Sequence, residues 1–283
     1  MSALRTGVSA MGLFDPDRRD DGLEATRRKA IRLIAQLPTL VAVIHRARQG
    51  NDPVAPREDL GHAANFLYLL TGKEPDPDDA RVMDVSLILH AEHGMNASTF
   101  AARVTAATLS DIHSAVTSAV GTLKGPLHGG ANQEVMKMLL EIDARGVEPA
   151  EHVRERLAAG KRVMGFGHRV YKTMDPRAPI LRRFSQDLGE RAGDTRWYRM
   201  SEEILDTMRR EKGINPNVDF FSASTYHALG IPADLFTPIF AIARVSGWVT
   251  HVEAQYARNR LIRPRAKYVG KRDLHYVPID ERG

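Results

Sequence analysis

The sequence of 283 residues contains no cysteine. Disulfides, thiolate metal sites and cysteine nucleophiles are therefore excluded, and the absence fits a reducing compartment such as the cytoplasm. Aromatic residues make up only 6% of the chain, which argues against a surface on which nucleic-acid bases stack. No apolar run approaches the roughly 20 residues that a membrane helix needs. We therefore expect a cytoplasmic protein that has neither nucleic acid nor a membrane as its partner.

The basic excess is small for a chain of this length. The formal net charge is +5, and the Lys and Arg residues look spread along the sequence rather than clustered. This pattern favours small anionic substrates over a polyanion. The opening stretch "MSALRTGVSAMGLF" has small residues and one arginine, as a targeting peptide can, but no apolar core or cleavage pattern follows, so we do not expect one.

Apolar residues recur at every third or fourth position through most of the chain, which is typical of amphipathic helices. An alternating, strand-like pattern is limited to "HYVPID" near the end. The fold class is therefore predicted to be all-α, and any second domain should be an insertion, because no linker or repeat divides the chain. We expect Pro38 to kink or break a helix, Gly72 to end one, and Asp78 and Ser98 to be N-caps.

Four stretches place polar or titratable side chains beside Gly, Pro or Asn at helix boundaries, where helix N-termini favour anions. They are "AEHGMNAST" with His93, "KGPLHGGANQEV" with His128, "GKRVMGFGHRVYKTMDPRAP" with His168 and Arg177, and "INPNVDFFSAS" with Asp219.

Ordinary structural roles compete with these functional interpretations. "GFGH" fails the dinucleotide fingerprint because Val170 occupies the third glycine position. "HAEH" is not the H-E-x-x-H zinc motif, and no G-x-S-x-G serine motif occurs. Arg244 could, from its local sequence alone, be an ordinary surface arginine. Seven other histidines are interpreted as structural: His45, His62, His113, His152, His227, His251 and His275.

Taken together, the stretches resemble the citrate synthase family. "AEHGMNAST", "KGPLHGGANQEV", "GFGHRVYKTMDPRA", "NVDFFSAS", "FAIARVSGW" and "IRPRAKYVG" follow the family's signature segments in order. The likeness is greatest to the short bacterial and archaeal type. It implies a large helical domain of residues 1–129 and 229–283, with a small helical domain of residues 130–228 inserted. It also implies a substrate cleft between the domains and a homodimer that uses helices near 80–120 and 233–258.

The resemblance implies an acyl-CoA:oxaloacetate C-acyltransferase of the tricarboxylic acid cycle, which condenses acetyl-CoA with oxaloacetate to citrate. Asp219 matches the family's base, His128 the thioester-facing histidine, and His168 the ketone-facing histidine. We expect His128 to lie at a helix N-terminus, where the dipole favours a neutral imidazole that donates a hydrogen bond. Gly129 and Gly130 would leave room for the thioester.

The resemblance also implies the residues that bind substrate. His93, Arg177, Arg244 and Arg263 match those for oxaloacetate, with Arg263 reaching in from the partner subunit. No metal and no permanently bound cofactor are expected, since the coenzyme A thioester is a co-substrate. The residues that match the coenzyme A site are Val163, Met164, Gly165, Phe166, Gly167 and Lys172.

Two other functions stay open at this point. A 2-methylcitrate synthase would take propionyl-CoA, and one methylene changes discrimination by only about 1–3 kcal/mol. A truncated, non-catalytic homologue is the other possibility, because the sequence lacks an N-terminal portion that the family usually has. That loss would leave apolar surface exposed and a less stable dimer.

Overall fold

The computed structural model describes residues 1–168, 170–171 and 173–283, and within them the protein is all-α, as predicted. The only β-type pairing among these residues is one isolated antiparallel bridge between Phe166 and Pro216. The helices are α1 Ser2–Phe14, α2 Leu23–Arg48, α3 His62–Thr71, α4 Pro77–His90, α5 Ala97–Ala106, α6 Ile112–Leu123, α7 Ala131–Arg145, α8 Pro149–Ala158, α9 Ala178–Ala192, α10 Arg196–Lys212, α11 Val218–Ala228 and α12 Phe236–Ala257, with 3₁₀ turns at Ala233–Leu235 and Ile279–Glu281.

Several helix boundaries differ from the sequence-based expectations. α2 continues through Pro38 without a break. The N-cap of α4 is Asp76, whose side chain accepts a hydrogen bond from the Asp78 N–H at 2.8 Å. "HYVPID" forms no strand. The predicted stop at Gly72 is confirmed, because this glycine ends α3 with a φ of 76°, where a side chain would be strained.

The N-cap of α5 is Asn96 and not Ser98. The Asn96 side chain accepts a hydrogen bond from the Thr99 N–H at 3.1 Å, and Ser98 lies inside the first turn. α5 also ends well before α6 begins, since Leu109 adopts a φ of 64° between them. Because Ser98 lies in the first turn of α5, its N–H has no acceptor within the helix and can donate to another side chain.

The core is built around α12, which packs on α2, α4, α5 and α6. Most of its side chains are buried, and Trp248 is completely so. Both α2 and the segment Ala233–Ala257 are long and apolar enough for a membrane span by length and composition, so the expectation of no such run was wrong. In the second segment 83% of the relevant window is buried inside the protein, as in the core helix of a soluble protein.

A second set of helices surrounds α11. α7, α9 and α10 pack directly on it, and α8 joins this group through α10. These helices fall within residues 130–228. The division of the chain into domains at those boundaries stays a prediction.

An apolar groove lies on the outside of the α1–α2 pair. It has a volume of about 600 Å³, and Met11, Phe14, Leu40 and Val43 are among its lining residues. Phe14 is 82% exposed there.

Candidate active site

His128 lies in the turn between α6 and α7, and a neighbouring helix fixes its ring. The Nε2 atom of His128 is 3.2 Å from the backbone nitrogen of Ser98 and 2.8 Å from the Ser98 Oγ. Trp248 donates from its indole nitrogen to that same Oγ at 3.1 Å. The ring is therefore anchored to the first turn of α5 and to the core helix α12.

This contact determines the tautomer of His128. A backbone N–H can only donate, so Nε2 of His128 must be the acceptor and the proton must be on Nδ1. Burial, with a smaller contribution from the Arg244 charge, lowers the pKa of His128 to about 4. His128 is thus a neutral imidazole with an Nδ1–H to donate. The helix N-terminus that contacts it belongs to α5, whereas the sequence suggested α7.

The adjacent glycine is required by backbone packing. A Cβ on Gly129 would lie 2.3 Å from the carbonyl oxygen of Leu123, and the Gly129 N–H donates to that same oxygen at 3.0 Å. Gly130 has no atom within 4 Å of an added Cβ. Gly129 therefore allows the turn to close on the end of α6, a reason that the sequence interpretation did not foresee.

His168 follows a loop that is tied to the start of α11. The Gly167 N–H donates to the carbonyl of Asn215 at 3.0 Å, and the Asn217 N–H donates to the carbonyl of Gly165 at 2.9 Å. The Asn217 side chain also donates to the carbonyl of Gly167 at 3.0 Å. These bonds hold the loop that ends in His168 against the helix that begins one residue before Asp219.

The five residues matched to the coenzyme A site form this loop. Gly165 has a φ of 82°, and a Cβ there would lie 2.8 Å from side-chain atoms of both Phe220 and Val135. Only glycine fits this position without displacing its neighbours. Val163 is buried, while Met164 and Phe166 are partly buried against the core. Lys172, the sixth residue of that prediction, lies outside the described residues.

The ring of His168 has the opposite tautomer to His128. The N–H groups of Val170 and Tyr171 both donate to the Nδ1 of His168, at 3.0 and 3.1 Å. The proton is therefore on Nε2, which is available as a donor. Burial lowers the pKa of His168, with Asp175 opposing and Arg177 adding to that effect.

His93, from the loop between α4 and α5, meets this group of rings. Its ring centroid is 4.9 Å from that of His168 and 5.4 Å from that of Tyr171, in edge-on arrangements. Burial and then the charge of Arg177 lower the pKa of His93. Two neutral imidazoles from distant parts of the sequence are thus in contact beside a guanidinium.

Asp219 occupies the first turn of α11 and is partly buried. Burial raises its pKa to about 6, even though the charges of Arg177 and Arg244 act in the opposite direction. A carboxylate with this pKa is a stronger base than an ordinary aspartate and is still ionised at neutral pH. Asp175 contributes to the raised pKa as a like charge.

The two arginines of the site differ in their partners. Arg177 forms a bidentate ion pair with Asp175, at 2.9 Å for Nε to Oδ1 and 2.7 Å for Nη2 to Oδ2. Asp175 is 1% exposed and also accepts from the Val218 N–H at 3.1 Å. Although burial opposes it, the hydrogen bonds from Arg177 hold the pKa of Asp175 below its usual range.

Arg244 lies on α12 and is buried, with 2% of its surface exposed. It is therefore not the surface arginine that its local sequence allowed. Its Nε donates to the carbonyl of His90 at 2.7 Å, and no carboxylate pairs with it among the described residues. Burial, followed by the nearby Arg177 charge, lowers its pKa to about 10. A buried guanidinium without a counter-ion is a strong site for an anionic ligand.

Arg263 is not brought to this cluster within one chain. It lies in the exposed segment that follows α12. Its assignment to the partner subunit's site stays a prediction.

Three residues of the site were missed at the level of sequence. Ser98 was interpreted as a helix cap, but it holds His128. Asp175 was not singled out, although a carboxylate two residues before Arg177 was a usable signal. His90 is fully buried, its carbonyl holds Arg244, and its Nε2 has no partner among the described residues.

The cluster combines a base, two neutral imidazole donors of fixed tautomer, and two guanidinium groups. Such a set suits the removal of a proton from carbon next to a carbonyl, with donors for the developing oxygen charge and cations for a small dianion. Among the described residues no group of three His, Asp or Glu side chains could hold a metal ion.

Comparisons with known proteins agree with this chemistry. Residues 1–265 match the family model described as citrate synthase, C-terminal domain. The citrate synthase of Haloferax volcanii is 54% identical over the whole of this chain and 75% of its own length. Citrate synthase 2 of Bacillus subtilis is 55% identical over the whole chain and 76% of its own length. A 2-methylcitrate synthase 1 of Corynebacterium glutamicum is 45% identical over the whole chain and 75% of its length.

Solved structures show the same relationship. The crystal structure of citrate synthase from Pyrobaculum aerophilum superposes with a TM-score of 0.91 at 43% identity, over 99% of this chain and 73% of the other. The Thermoplasma acidophilum citrate synthase, in a ternary complex with carboxymethyl coenzyme A and oxaloacetate, gives a TM-score of 0.90 at 34% identity, over 99% and 75% of the two chains. The chain belongs to the citrate synthase family.

Proposed function

We propose that the protein is a citrate synthase, which condenses acetyl-CoA with oxaloacetate and water to give citrate and free coenzyme A. The observation that carries the proposal is the position of Arg244. This buried guanidinium has no counter-ion among the described residues, and its charge acts on His93, His128 and Asp219 together. A small dicarboxylate that neutralises Arg244 would therefore change the charge that acts on all three groups.

Asp219 is proposed as the base that removes a proton from the methyl carbon of the thioester. A pKa of about 6 leaves it ionised at neutral pH while making it more basic than a free aspartate. The Nδ1–H of His128 would donate to the enol oxygen as charge develops there. Removing one such donor typically costs about 3–4 kcal/mol of transition-state stabilisation. Activity should fall as the pH drops below about 6, because Asp219 is then protonated.

His168 is proposed to donate its Nε2–H to the ketone oxygen of oxaloacetate, which becomes an alkoxide as the new carbon–carbon bond forms. Hydrolysis of the resulting thioester then releases coenzyme A. The fixed tautomers support these roles, because each ring presents a donor without having to turn. Because His128 and His168 are neutral donors, neither ring protonates the enol carbon before the new carbon–carbon bond forms.

The carboxylates of oxaloacetate are proposed to bind Arg177, Arg244, His93 and, from the partner subunit, Arg263. Asp175 orients the guanidinium of Arg177 through its Nε and Nη2 atoms, which leaves Nη1 for a carboxylate of the substrate. The loop Val163–Gly167, with Lys172, is proposed to bind coenzyme A. We also propose that the protein is a cytoplasmic homodimer. Residues 130–228 would form a small domain that closes over the cleft.

A 2-methylcitrate synthase is the second candidate, favoured by the 45% identity to a curated enzyme of that name. Its reaction would use the same residues and differ only in a propionyl group at the acyl pocket. The identity to enzymes named citrate synthase reaches 54–55%, which places the first candidate ahead.

The test is release of free thiol from acetyl-CoA and from propionyl-CoA by the purified chain, with and without oxaloacetate. A longer homologue serves as the positive control. Oxaloacetate-dependent release with a preference for acetyl-CoA is the expected result, and a preference for propionyl-CoA would select the second candidate. A folded protein that releases thiol from neither substrate would be a non-catalytic homologue.

A further inference from the structure

The loop that carries His93 connects α4 to α5, and α12 contacts its first half through backbone groups. The Gly247 N–H donates to the carbonyl of Ala91 at 3.2 Å, and a Cβ on Gly247 would lie 2.5 Å from that oxygen. Arg244 holds the carbonyl of His90. The chain entering the loop is thus fixed up to Ala91, which leaves Glu92, His93 and Gly94 to be held in another way.

One turn further along α12, His251 contacts the next residue of the loop. The Nε2 of His251 is 3.1 Å from a carboxylate oxygen of Glu92. On the other side of the ring, Nδ1 of His251 is 3.3 Å from a terminal nitrogen of Arg103 on α5. Arginine can only donate, so Nδ1 of His251 accepts and the ring proton is on Nε2, directed at Glu92.

Arg103 is itself held in place. Its Nε and its second terminal nitrogen donate to the side-chain oxygen of Gln255, at 3.0 and 2.7 Å, and Gln255 is 5% exposed. The hydrogen bonds therefore run in one direction, from an anchored guanidinium through a neutral imidazole to a carboxylate. An ordinary surface ion pair would not fix the tautomer of the histidine between its two partners.

Glu92 passes this constraint directly to His93, because the two residues are adjacent in the chain. The Glu92 carboxylate accepts a hydrogen bond from the Nε2–H of His251 at 3.1 Å. Although burial opposes it, the backbone of Gly94 and the His251 ring lower the pKa of Glu92 and favour its ionised form. Gly94 has a φ of 56°, so the loop turns sharply directly after His93.

We propose that Arg103, His251 and Glu92 form a positioning relay that holds the His93 loop in its substrate-binding geometry. The inference rests on the proposed function, in which His93 binds oxaloacetate. None of the three relay residues needs to touch the substrate, since they act on His93 through the loop. His251, interpreted from the sequence as a structural histidine, thereby gains a role in oxaloacetate affinity.

The kinetic test compares His251→Ala with His251→Gln, which keeps an N–H donor near the Nε2 position. His251→Ala should raise the KM for oxaloacetate about tenfold, leave the KM for acetyl-CoA within about twofold, and lower kcat less than it raises that KM. His251→Gln should restore most of the oxaloacetate KM. Equal losses in the two variants, or a change confined to kcat, would overturn the relay.

Glu253→Gln is the matched control on the same helix. Glu253 pairs with Arg27 of α2 through two hydrogen bonds of 2.7 and 3.0 Å and has no contact with the His93 loop. It should leave both KM values unchanged. If Glu253→Gln raised the oxaloacetate KM as much as His251→Ala, a general effect of surface ion pairs would replace the relay.

A second measurement separates the relay from the proposed function. Nitrogen NMR of the ¹⁵N-histidine-labelled 283-residue chain, assigned with His251→Gln, should show His251 as the neutral Nε2–H tautomer. Arg103→Met should abolish that fixed tautomer. Calorimetry should show weaker oxaloacetate binding in His251→Ala. A wild-type protein without turnover that still binds oxaloacetate would refute only the proposed function, whereas a mixed tautomer in wild type would refute the relay.

Discussion

Residues 1–257 and residues 258–283 differ in how their charges are balanced. The last 26 residues hold eight of the 40 Lys and Arg residues but only three of the 35 Asp and Glu residues. Residues 1–257 therefore carry 32 groups of each sign, and the whole excess of +5 lies in the C-terminal segment. The expectation that basic residues are spread evenly along the chain was wrong in this respect.

The same two regions differ in how they cover apolar side chains. α12 ends in a core where Trp248 and Val252 are fully buried. In the C-terminal segment Leu261, Tyr268, Val269, Tyr276 and Ile279 are all between 58% and 89% exposed. Two hydrogen bonds join the segment to α12, from the Gln255 side chain to the Asn259 Oδ1 at 3.1 Å and to the Arg260 carbonyl at 3.3 Å. The Asn259 side chain also donates to the Ala107 carbonyl at 3.2 Å.

Exposed apolar side chains occur in both regions, but the C-terminal segment combines them with the whole basic excess and with few contacts to the helical body. Exposed apolar surface of this kind marks a candidate interaction surface. This is the pattern expected of an arm that packs on a second copy, and it supports the proposal that Arg263 acts in the partner's site. Mutations in residues 1–257 and in the C-terminal segment 258–283 should therefore differ in their effects on activity and stability.

The largest effect is expected from Asp219→Ala in the body. Loss of the proposed base should lower kcat by about 10²–10⁴-fold, with oxaloacetate binding by calorimetry within about threefold of wild type. Asp280→Ala in the C-terminal segment, at an exposed carboxylate, is the control and should leave kcat unchanged. An Asp219→Ala protein that turns over normally would remove Asp219 as the base.

Arg263→Ala should have the next largest effect, raising the oxaloacetate KM about tenfold to a hundredfold because a charge-assisted contact is lost. Mixing Arg263→Ala with Asp219→Ala subunits distinguishes a shared site from a self-contained one. Random hybrid dimers would contain one intact site each, so about a quarter of wild-type activity should return. No recovery after verified subunit exchange would place Arg263 outside the partner's site.

The fold and most of the site residues could be predicted from the sequence, for different reasons. Helical periodicity is local, so the all-α fold class and the end of α3 at Gly72 followed from the sequence alone. His93, His168 and Arg244 were found through long signature segments, and their roles were carried over from the resemblance. Local spacing alone gave no reason to bring them together.

The other features of the site could not be predicted, because they depend on contacts between segments that are distant in the sequence. The Ser98 contact to His128 spans 30 residues, and the His251 contact to Glu92 spans 159. The charge state of Asp219 follows from burial, which is a property of the folded protein. Gly129 was recognised as special, but the reason, the nearby Leu123 carbonyl, needed coordinates.

A smaller effect, on stability, is expected within the body from Gly165→Ala. Its Cβ would press on Phe220 and Val135 at 2.8 Å in a backbone with a φ of 82°, so overpacking and strain should together lower the free energy of unfolding by about 2–4 kcal/mol. Gly167→Ala is the matched control, since it has a φ of 80° but no contact closer than 3.8 Å. Its loss should be only about 1 kcal/mol. Denaturant titrations measure both, and equal losses would show that packing at Gly165 is unimportant.

The smallest effect concerns how the partly buried Asp219 and an exposed carboxylate change stability with pH. The pKa of Asp219 is raised from 3.8 to about 6 in the folded protein. Between those values the folded state binds more protons than the unfolded state, so Asp219 lowers the free energy of unfolding as the pH rises through that window. Asp219→Asn should therefore be more stable than wild type above pH 6, and the difference should shrink towards pH 4. Asp280→Asn, in the exposed segment, should show no such pH dependence in the same denaturant titrations. If the two variants behaved alike, the contrast between the partly buried Asp219 and an exposed carboxylate would fail, and the raised pKa of Asp219 with it.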